Sequence, residues 1–425
     1  MFKKVLSLVL ALAMLSGLAI AFTSCNGGGA KSDMTEAPLT EVILTKDFDI
    51  PSDFKLGVIC LHDEASTYDL NFINGVEKIK TLLGLTNEQV IYKKDIPESA
   101  LCTEAAEDLV DQGCKIVFAN SFGHESFLLQ AAINNPDVQF CHATGTMAHD
   151  AGVANFHNAF ASIYEGRYLA GVAAGLKLNE MIANGKITAD KAKMGYVGAF
   201  TYAEVMSGYT AFYLGAKSVC PTVTMDVQFT GSWYDEIKEK EAATALINAG
   251  CVLISQHADS MGAPSVCEER GVPNVSYNGS TDEACPETFI VSSRIDWAPY
   301  YHYIIKQYCN GDAIAADWTG TVETGSVVLT GVNKTAAADG TFEKIQEVAA
   351  KLADGTLKVF DTDNFTVNNA KLESYMADVN TDAAFTKDTQ VINADGIFEE
   401  SRYRSAPYFD VEIDGITLIN RDYGD

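Results

Sequence analysis

Residues 115–142 read KIVFANSFGHESFLLQAAINNPDVQFCH, and this stretch decides the fold class. It begins with an apolar run at 115–119, continues with helical spacing from about Ser126 to Ile133, and ends in a second β-rich run at 138–142. Short apolar runs on both sides of a helix are typical of buried parallel strands. The stretch therefore predicts a strand–helix–strand unit in which two parallel strands carry a helix on one face.

The same alternation extends along the chain in both directions. Upstream, the run 55–61 precedes a helical pattern at 72–83, and downstream a second series of strands and helices begins at 193–198 and ends near 288–291. Two such series predict two similar, doubly wound α/β lobes. Because open parallel sheets bind ligands beyond the carboxyl ends of their strands, the residues that follow each strand are the site candidates.

The N-terminus has the pattern of an export signal. Lys3 and Lys4 precede an apolar run at 5–22, and Cys25 follows two small residues. This pattern resembles a bacterial lipoprotein signal with Cys25 as the acylated residue, although a plain signal peptide or a membrane anchor is the alternative. We predict a signal peptide at 1–24, a flexible tether at 25–53, and a lipid anchor on the extracytoplasmic face of the cell membrane.

Composition limits the class of partner. The chain has 425 residues, of which 47% are hydrophobic and 10% aromatic, and its formal net charge is −27. Such a chain is too apolar for disorder, and its negative surface repels phosphate backbones. We expect no nucleic-acid partner and a monomer.

Metal binding and catalysis have little support in the sequence. The ten cysteines form no CxxC pair, and no HExxH, GxSxG or phosphate-loop motif is present. We predict no cofactor, no metal site, no catalytic residue and no enzyme activity. Most cysteines are expected to be buried thiols, with Cys267 and Cys285 as a possible disulfide.

Several short motifs follow the predicted strands in a recognisable order: SFG at 121–123, YEGRYLAG at 164–171, GSWYD at 231–235, QHADS at 256–260, SYN at 276–278 and WAPYY at 297–301. Together they resemble the BMP family (basic membrane proteins, purine-nucleoside-receptor-like), substrate-binding lipoproteins of ABC importers. The resemblance runs from about 54 to 334 and more weakly beyond.

The resemblance implies a type I periplasmic-binding-protein fold, with two doubly wound lobes joined by three crossover segments and a ligand held in the cleft. We place one lobe at 54–158 and 293–328, and the other at 159–292 and 329–425, where a C-terminal extension ends in a hairpin near 409–415. The implied ligands are purine nucleosides, or purine bases in a branch with a motif like Ser232-Trp233. Asp296 stands where the family's nucleoside receptors carry a ribose-contacting lysine, which favours a base or a different sugar contact.

Each candidate site residue also has a structural alternative. Trp233 either stacks on a base or packs between helix and sheet, and Phe122 occupies the equivalent turn of the first lobe. Gln256 and Asp259 follow a strand at a polar turn and are candidates to face the ligand, with N-capping by Asp259 or Ser260 as the alternative, and Asn278 either reads a base edge or shapes a turn.

For the other candidates, the sequence alone does not decide which side chains face the cleft. Some residues of one first-lobe loop should face the cleft, Glu204 either reaches the ligand or caps a helix, and two candidates lie just past the second crossover. These further predicted ligand-binding residues are Asp63, Thr67, Tyr68, Asn71, Glu204, Asp296 and Trp297. Arg167 is expected to hold the hinge helix, paired with Glu165 or another acidic residue.

The predicted function is capture of a purine base or nucleoside by a lipid-anchored solute-binding protein for an ABC permease and its ATPase. The alternatives are the same fold acting as a ligand sensor, a binder of a sugar or other small metabolite, and a nucleoside-hydrolysing lipoprotein enzyme.

Overall fold

Two mostly parallel sheets organise the chain in a computed structural model, which describes residues 32–39, 42–380 and 386–421. The predicted signal peptide and Cys25 lie outside the described residues. The strands are β1 Leu56–Ile59, β2 Val90–Lys93, β3 Ile116–Ala119, β4 Gln139–His142, β5 Phe156–Ala161, β6 Lys193–Gly198, β7 Thr224–Phe229, β8 Leu253–His257, β9 Asn274–Tyr277, β10 Phe289–Ile295, β11 Asp317–Gly320, β12 Val327–Leu329, β13 Met376–Ala377, β14 Thr389–Gln390 and β15 Ile416–Leu418. The α-helices are Thr67–Leu83, Ala100–Asp111, Glu125–Asn134, Ile163–Ala183, Ala203–Val219, Glu236–Asn248, Gly262–Arg270, Ala298–Asn310 and Thr341–Ala353.

The segment 115–142 folds as the sequence predicts. β3 and β4 pair in parallel, with Ile116 opposite Gln139, and the helix Glu125–Asn134 connects them. The first sheet has the order β11-β5-β4-β3-β1-β2, and all its strands run parallel. All four residues of β3 are buried, which explains why this strand is continuously apolar.

The second sheet has the order β12-β10-β9-β8-β6-β7-β15, and only β12 runs antiparallel to its neighbour among its described pairings. Two of its helices pack in very close contact. A Cβ atom at Gly171 would lie 2.0 Å from the Phe212 carbonyl oxygen, and one at Gly215 would lie 2.0 Å from the Tyr168 carbonyl oxygen. The small residues of the helix Ile163–Ala183 therefore serve helix packing.

The chain crosses between the two lobes three times: after β5, after β10 and between β11 and β12. The boundary expected between residues 158 and 159 falls inside β5, which lies wholly in the first sheet, and the one between 292 and 293 falls inside β10, which lies wholly in the second. We propose that the lobes exchange after Ala161, Ile295 and Gly320.

The C-terminal extension differs from the sequence expectation. The hairpin expected at 409–415 is wrong, because these residues form no strand and the chain instead adds β15 parallel to β7. The ring of Phe409 stacks on that of Phe360 with centroids 4.3 Å apart. Burial of Phe409 in an aromatic cluster therefore fixes this segment in place of strand pairing.

The described part of the predicted tether lies against the folded chain. It contains no helix or regular strand, yet Thr35 bonds to Val332 through both its backbone N–H and its side-chain oxygen. Cys267 and Cys285 are both buried free thiols, so the possible disulfide is wrong. Among the described residues, no helix is long and apolar enough to cross a bilayer.

Candidate ligand-binding site

A narrow cavity lies between the two sheets, at the carboxyl ends of their strands. Its position is typical of ligand sites in open α/β folds. The lining residues are Leu61, His62, Tyr68, Asp69, Ser121, Phe122, Thr144, Glu204, Trp233, His257, Asp259, Tyr277 and Asn278.

Half of the residues predicted from sequence meet at this cavity. They come from both lobes, and each follows a strand or begins the next helix. They are Tyr68, Phe122, Glu204, Trp233, Asp259 and Asn278.

Two further predicted residues lie directly behind the cavity wall and connect the lobes. Thr67 donates its hydroxyl hydrogen to the carbonyl oxygen of Asp259 at 3.2 Å. Asn71 donates from Nδ2 to the carbonyl oxygen of Asn278 at 2.7 Å. Both bonds run from the first-lobe helix to the second lobe, so they hold the cleft closed.

The remaining predicted residues are placed away from the cavity. Asp63 is exposed, and Gln256 is buried with its Nε2 donating to the carbonyl oxygens of Ala258 and Ser260. Asp296 forms an ion pair with Lys78 at 2.9 Å.

Trp297 packs in the core of the first lobe. It is 1% exposed, and its ring stacks on Phe72 with centroids 4.2 Å apart. Asp296 accepts a hydrogen bond from the backbone N–H of Ala298 at 2.9 Å, just before the helix Ala298–Asn310. The packing therefore leaves the ring no access to the cavity.

The turn after β7 presents Trp233 to the cavity. Gly231 has a φ of +70°, which a residue with a side chain rarely adopts, and this conformation reverses the chain at the strand end. The indole ring is half-buried, and it lies edge-on to Phe200 at 5.0 Å and 6.0 Å from Tyr202. One large flat ring is thus held at the edge of the cavity by other rings.

Asp259 and Asn278 form a bonded pair on the second-lobe wall. Asn278 lies directly after β9 with a φ of +65°, a conformation that asparagine tolerates better than most residues. Its Nδ2 donates to Oδ1 of Asp259 at 3.1 Å. Burial raises the pKa of Asp259 well above its usual range, and the carboxylates of Asp69 and Glu239 add to the shift.

Glu204 lies between the lobes beside His257. Its Oε1 is 3.5 Å from Nε2 of His257, and its Oε2 accepts from the hydroxyl of Thr144 at 3.4 Å. Burial lowers the pKa of His257, although Glu204 partly opposes the shift. The imidazole is therefore neutral at neutral pH.

An aromatic pair closes the cleft next to this carboxylate. Phe122 of the first lobe stacks on Tyr202 of the second, with centroids 5.4 Å apart and an interplanar angle of 27°. Phe122 remains 38% exposed, so it stands at the mouth of the cavity. The described conformation is thus the closed one, with direct contacts between the lobes.

Sequence reasoning left several lining residues out of the predicted site. Asp69, Ser121, Thr144, His257 and Tyr277 all line the cavity. The strand-end rule was sufficient to find His257 and Tyr277, which are the last residues of β8 and β9. It does not find Asp69, whose position depends on the phase of the helix Thr67–Leu83.

Arg167 lies behind the cavity wall of the second lobe and bonds to several of its strands. The expected ion pair of Arg167 with Glu165 is wrong. Glu165 instead accepts from the backbone N–H of Val322 at 2.8 Å. Arg167 is fully buried, and its bonded partners are neutral groups at the ends of neighbouring strands. It donates to the carbonyl oxygens of Ser276 and Gln256 and to the side-chain oxygens of Tyr196, Ser255 and Ser293.

The match to a family model identifies the class of protein. The model for Bmp, described as ABC transporter substrate-binding protein PnrA-like, matches residues 59–362. The chain belongs to the Bmp family. This match covers every residue of the cavity lining.

Individual relatives agree with this membership. The chain is 31% identical to a purine-binding protein of Brucella abortus, over 64% of this chain and 73% of that protein. It is 32% identical to a putative ABC transporter glucose-binding protein of Haloferax volcanii, over 50% and 51% of the two chains. It is 28% identical to the ABC transporter nucleoside-binding protein BmpA of Lactococcus lactis, over 41% and 44%.

Solved structures agree on the fold. A solute-binding protein of an ABC transporter system from Conexibacter woesei superposes with a TM-score of 0.57 at 20% identity, over 72% of this chain and 98% of that one. The Bmp-family chain has the type I periplasmic-binding fold and is a substrate-binding protein of an ABC transporter. Such proteins bind small molecules outside the cytoplasm and are not enzymes. Among the described residues, no group of three or more His, Cys, Asp or Glu side chains is arranged to hold a metal ion.

Proposed function

We propose that this protein captures a purine base or nucleoside outside the cytoplasm and delivers it to an ABC permease driven by its ATPase. The observation that carries the proposal is the position of Trp233 at a closed cavity whose walls also hold Asp259 and Asn278. A purine offers a flat face for the indole ring and a polar edge for the carboxylate and the amide. The relatives named as purine-binding and nucleoside-binding support the same class of ligand.

The proposed mechanism is closure of the two lobes on the ligand. Tyr68 and Phe122 approach from the first lobe, whereas Trp233 and Asp259 approach from the second. A ligand that contacts both walls binds the closed state more tightly than the open one, so it shifts the population toward closure. The permease then distinguishes loaded from empty protein by this difference in shape.

A sugar is the competing ligand, because one relative is named as glucose-binding and a tryptophan ring also packs against sugar rings. Titration calorimetry of the mature protein against adenine, guanine, hypoxanthine, adenosine, guanosine, inosine and glucose separates the two. We expect at least one purine to bind at a single site and glucose to give no heat. Glucose binding with no response to any purine would contradict the proposal.

We further propose that Cys25 is acylated and holds the protein on the extracytoplasmic face of the cell membrane. The support is the sequence pattern, in which Cys25 follows Thr23 and Ser24 and precedes a glycine-rich stretch. In a Cys25→Ala variant we expect the protein to leave the membrane fraction or to remain unprocessed. Unchanged membrane attachment in this variant would contradict the anchor.

A further inference from the structure

Four side chains on the cavity wall already use a hydrogen-bond donor within the protein. Tyr68 donates its hydroxyl hydrogen to the carbonyl oxygen of Asn120 at 2.8 Å, and Ser121 donates to Glu98 at 2.6 Å. The hydroxyl of Thr144 donates to Glu204, and the amide of Asn278 donates to Asp259. The hydrogen atoms used in these four bonds are therefore not available to a ligand.

The acceptors on the same wall are in excess. Three carboxylates line the cavity, those of Asp69, Glu204 and Asp259, whereas neither lysine nor arginine is among its described lining residues. Each carboxylate has about four lone-pair sites. Asp259 accepts one side-chain bond, from Asn278, so in its ionised form it keeps most of its acceptor capacity for a ligand.

Arg167 is a buried cation behind the cavity wall, and it does not change the excess of acceptors over donors that face the cavity. The guanidinium of Arg167 lies 5.0 Å from the centroid of the Tyr277 ring, and Tyr277 lines the cavity. Its hydrogen atoms point to neutral groups of the strands. Through these bonds Arg167 gives no donor to the cavity.

The histidines add at most a small number of donors. His257 lies with Nε2 toward Glu204, and its Nδ1 is buried without a hydrogen-bond partner. His62 stands near the second lobe, 5.7 Å from the ring of Tyr234. The ring N–H of His62, the indole N–H of Trp233 and the hydroxyl of Tyr277 remain as donors on the described lining, and they are fewer than the acceptor sites of three ionised carboxylates.

From this imbalance we propose that the cavity selects purines that carry exocyclic amino groups over purines that carry carbonyl groups at the same positions. The inference rests on the proposed function and names the ligand class within it. An amino group donates two hydrogen atoms to carboxylate oxygens, whereas a carbonyl oxygen in the same place faces other acceptors and stays unpaired. Anionic oxopurines are disfavoured further by the like charge of the wall.

Adenine and hypoxanthine test the inference directly, because they differ mainly by an amino group against a carbonyl oxygen. In the unmodified protein we expect adenine to bind at least about tenfold more tightly than hypoxanthine, and diaminopurine at least as tightly as adenine. Equal or tighter binding of hypoxanthine would overturn the inference while leaving the proposed function intact. If neither these bases nor their nucleosides bind, the proposed function and the inference fail together.

Variants assign the selectivity to named residues. Asp259→Asn replaces an acceptor by a donor of the same size, and we expect it to reduce the adenine-to-hypoxanthine affinity ratio by about tenfold or more. Glu204→Gln is the second variant, and it keeps the test decisive should Asp259→Asn fail to fold. Asp226→Asn is the matched control, because Asp226 is a buried acid paired with Lys193 and does not line the cavity. An unchanged ratio in both cavity variants would overturn the assignment.

Discussion

Asn71 of the first lobe donates from Nδ2 to the backbone carbonyl oxygen of Asn278 in the second lobe at 2.7 Å. The side chain of Asn278 in turn donates to Asp259 on the cavity wall. Asn278 thus takes part both in the contact between the lobes and in the hydrogen bond that orients Asp259 on the cavity wall. A ligand that orders Asn278 also orders the acceptor for this bond between the lobes.

Removal of the bond between the lobes should weaken ligand binding in general. Asn71→Ala deletes a buried donor at the closed interface, and we expect affinity for every bound purine to fall about fivefold, because such a bond is worth about 1 kcal/mol. Titration calorimetry measures the loss. Asn74→Ala is the matched control, since Asn74 is exposed on the same helix. Equal losses in the two variants would contradict the role of Asn71.

Truncation of the indole ring should remove the stacking surface. Trp233→Ala is expected to lose about 1–3 kcal/mol of binding free energy, and Trp233→Phe should lose less because a smaller ring still stacks. Thermal unfolding without ligand provides the control measurement. A large drop in melting temperature with unchanged affinity of the folded fraction would show that Trp233 is a packing residue only.

Binding of an amino-bearing purine should become tighter as the pH rises. Burial, with Asp69 and Glu239 nearby, raises the pKa of Asp259, so this carboxyl holds a proton at low pH. An amino group bonds better to the ionised form, and the affinity should increase as pH rises through the raised pKa. Affinity measured from about pH 5 to about pH 8 checks the sign.

Asp259→Asn is the control for this pH dependence, because its amide does not titrate. We expect the variant to show a flatter profile. An affinity that decreases with pH in the unmodified protein, or a profile that the variant leaves intact, would refute the role of Asp259.

Buried Glu400 should make stability depend on pH. Burial raises the pKa of Glu400 from 4.5 to about 7, although Ser207 donates to its Oε1 at 2.5 Å. The folded chain therefore binds this proton more tightly than the unfolded chain does. The stabilising effect is full below pH 4.5 and is lost as the pH rises through about 7.

Glu400→Gln removes this titration while keeping an acceptor for Ser207. Relative to the unmodified protein, the variant should gain unfolding free energy between pH 5 and pH 8, up to on the order of 3 kcal/mol. Denaturant unfolding at both pH values measures the difference, with Glu373→Gln as an exposed control. A difference that does not change with pH would show that Glu400 does not titrate in this range.

The fold and part of the site followed from local patterns. Apolar runs and helical spacing are local properties, so 115–142 predicted its unit correctly, and the strand-end rule found Trp233, Asp259 and Asn278. The rule works because parallel strands all end at the same edge of the sheet.

The rest of the site depends on packing that no local pattern carries. Asp69 faces the cavity because Ser66 caps the helix by accepting from its backbone N–H, which sets the helix phase. Trp297 lies near a crossover in sequence, but its ring packs against Phe72 in the core of the first lobe. The hairpin expected at 409–415 failed for a similar reason, since burial of Phe409 outweighed its alternating pattern.

Tryptophan fluorescence gives the most direct measure of a purine bound beside Trp233. The chain has three tryptophans, and of these Trp297 packs in the core and Trp318 contacts Tyr300 away from the cavity. Titration of the mature protein with adenine should give a saturable change in emission whose midpoint matches the calorimetric affinity. The change should disappear in Trp233→Phe although calorimetry still shows binding. The same change in both proteins, or adenine binding with no change in either, would contradict a purine stacked in this cavity.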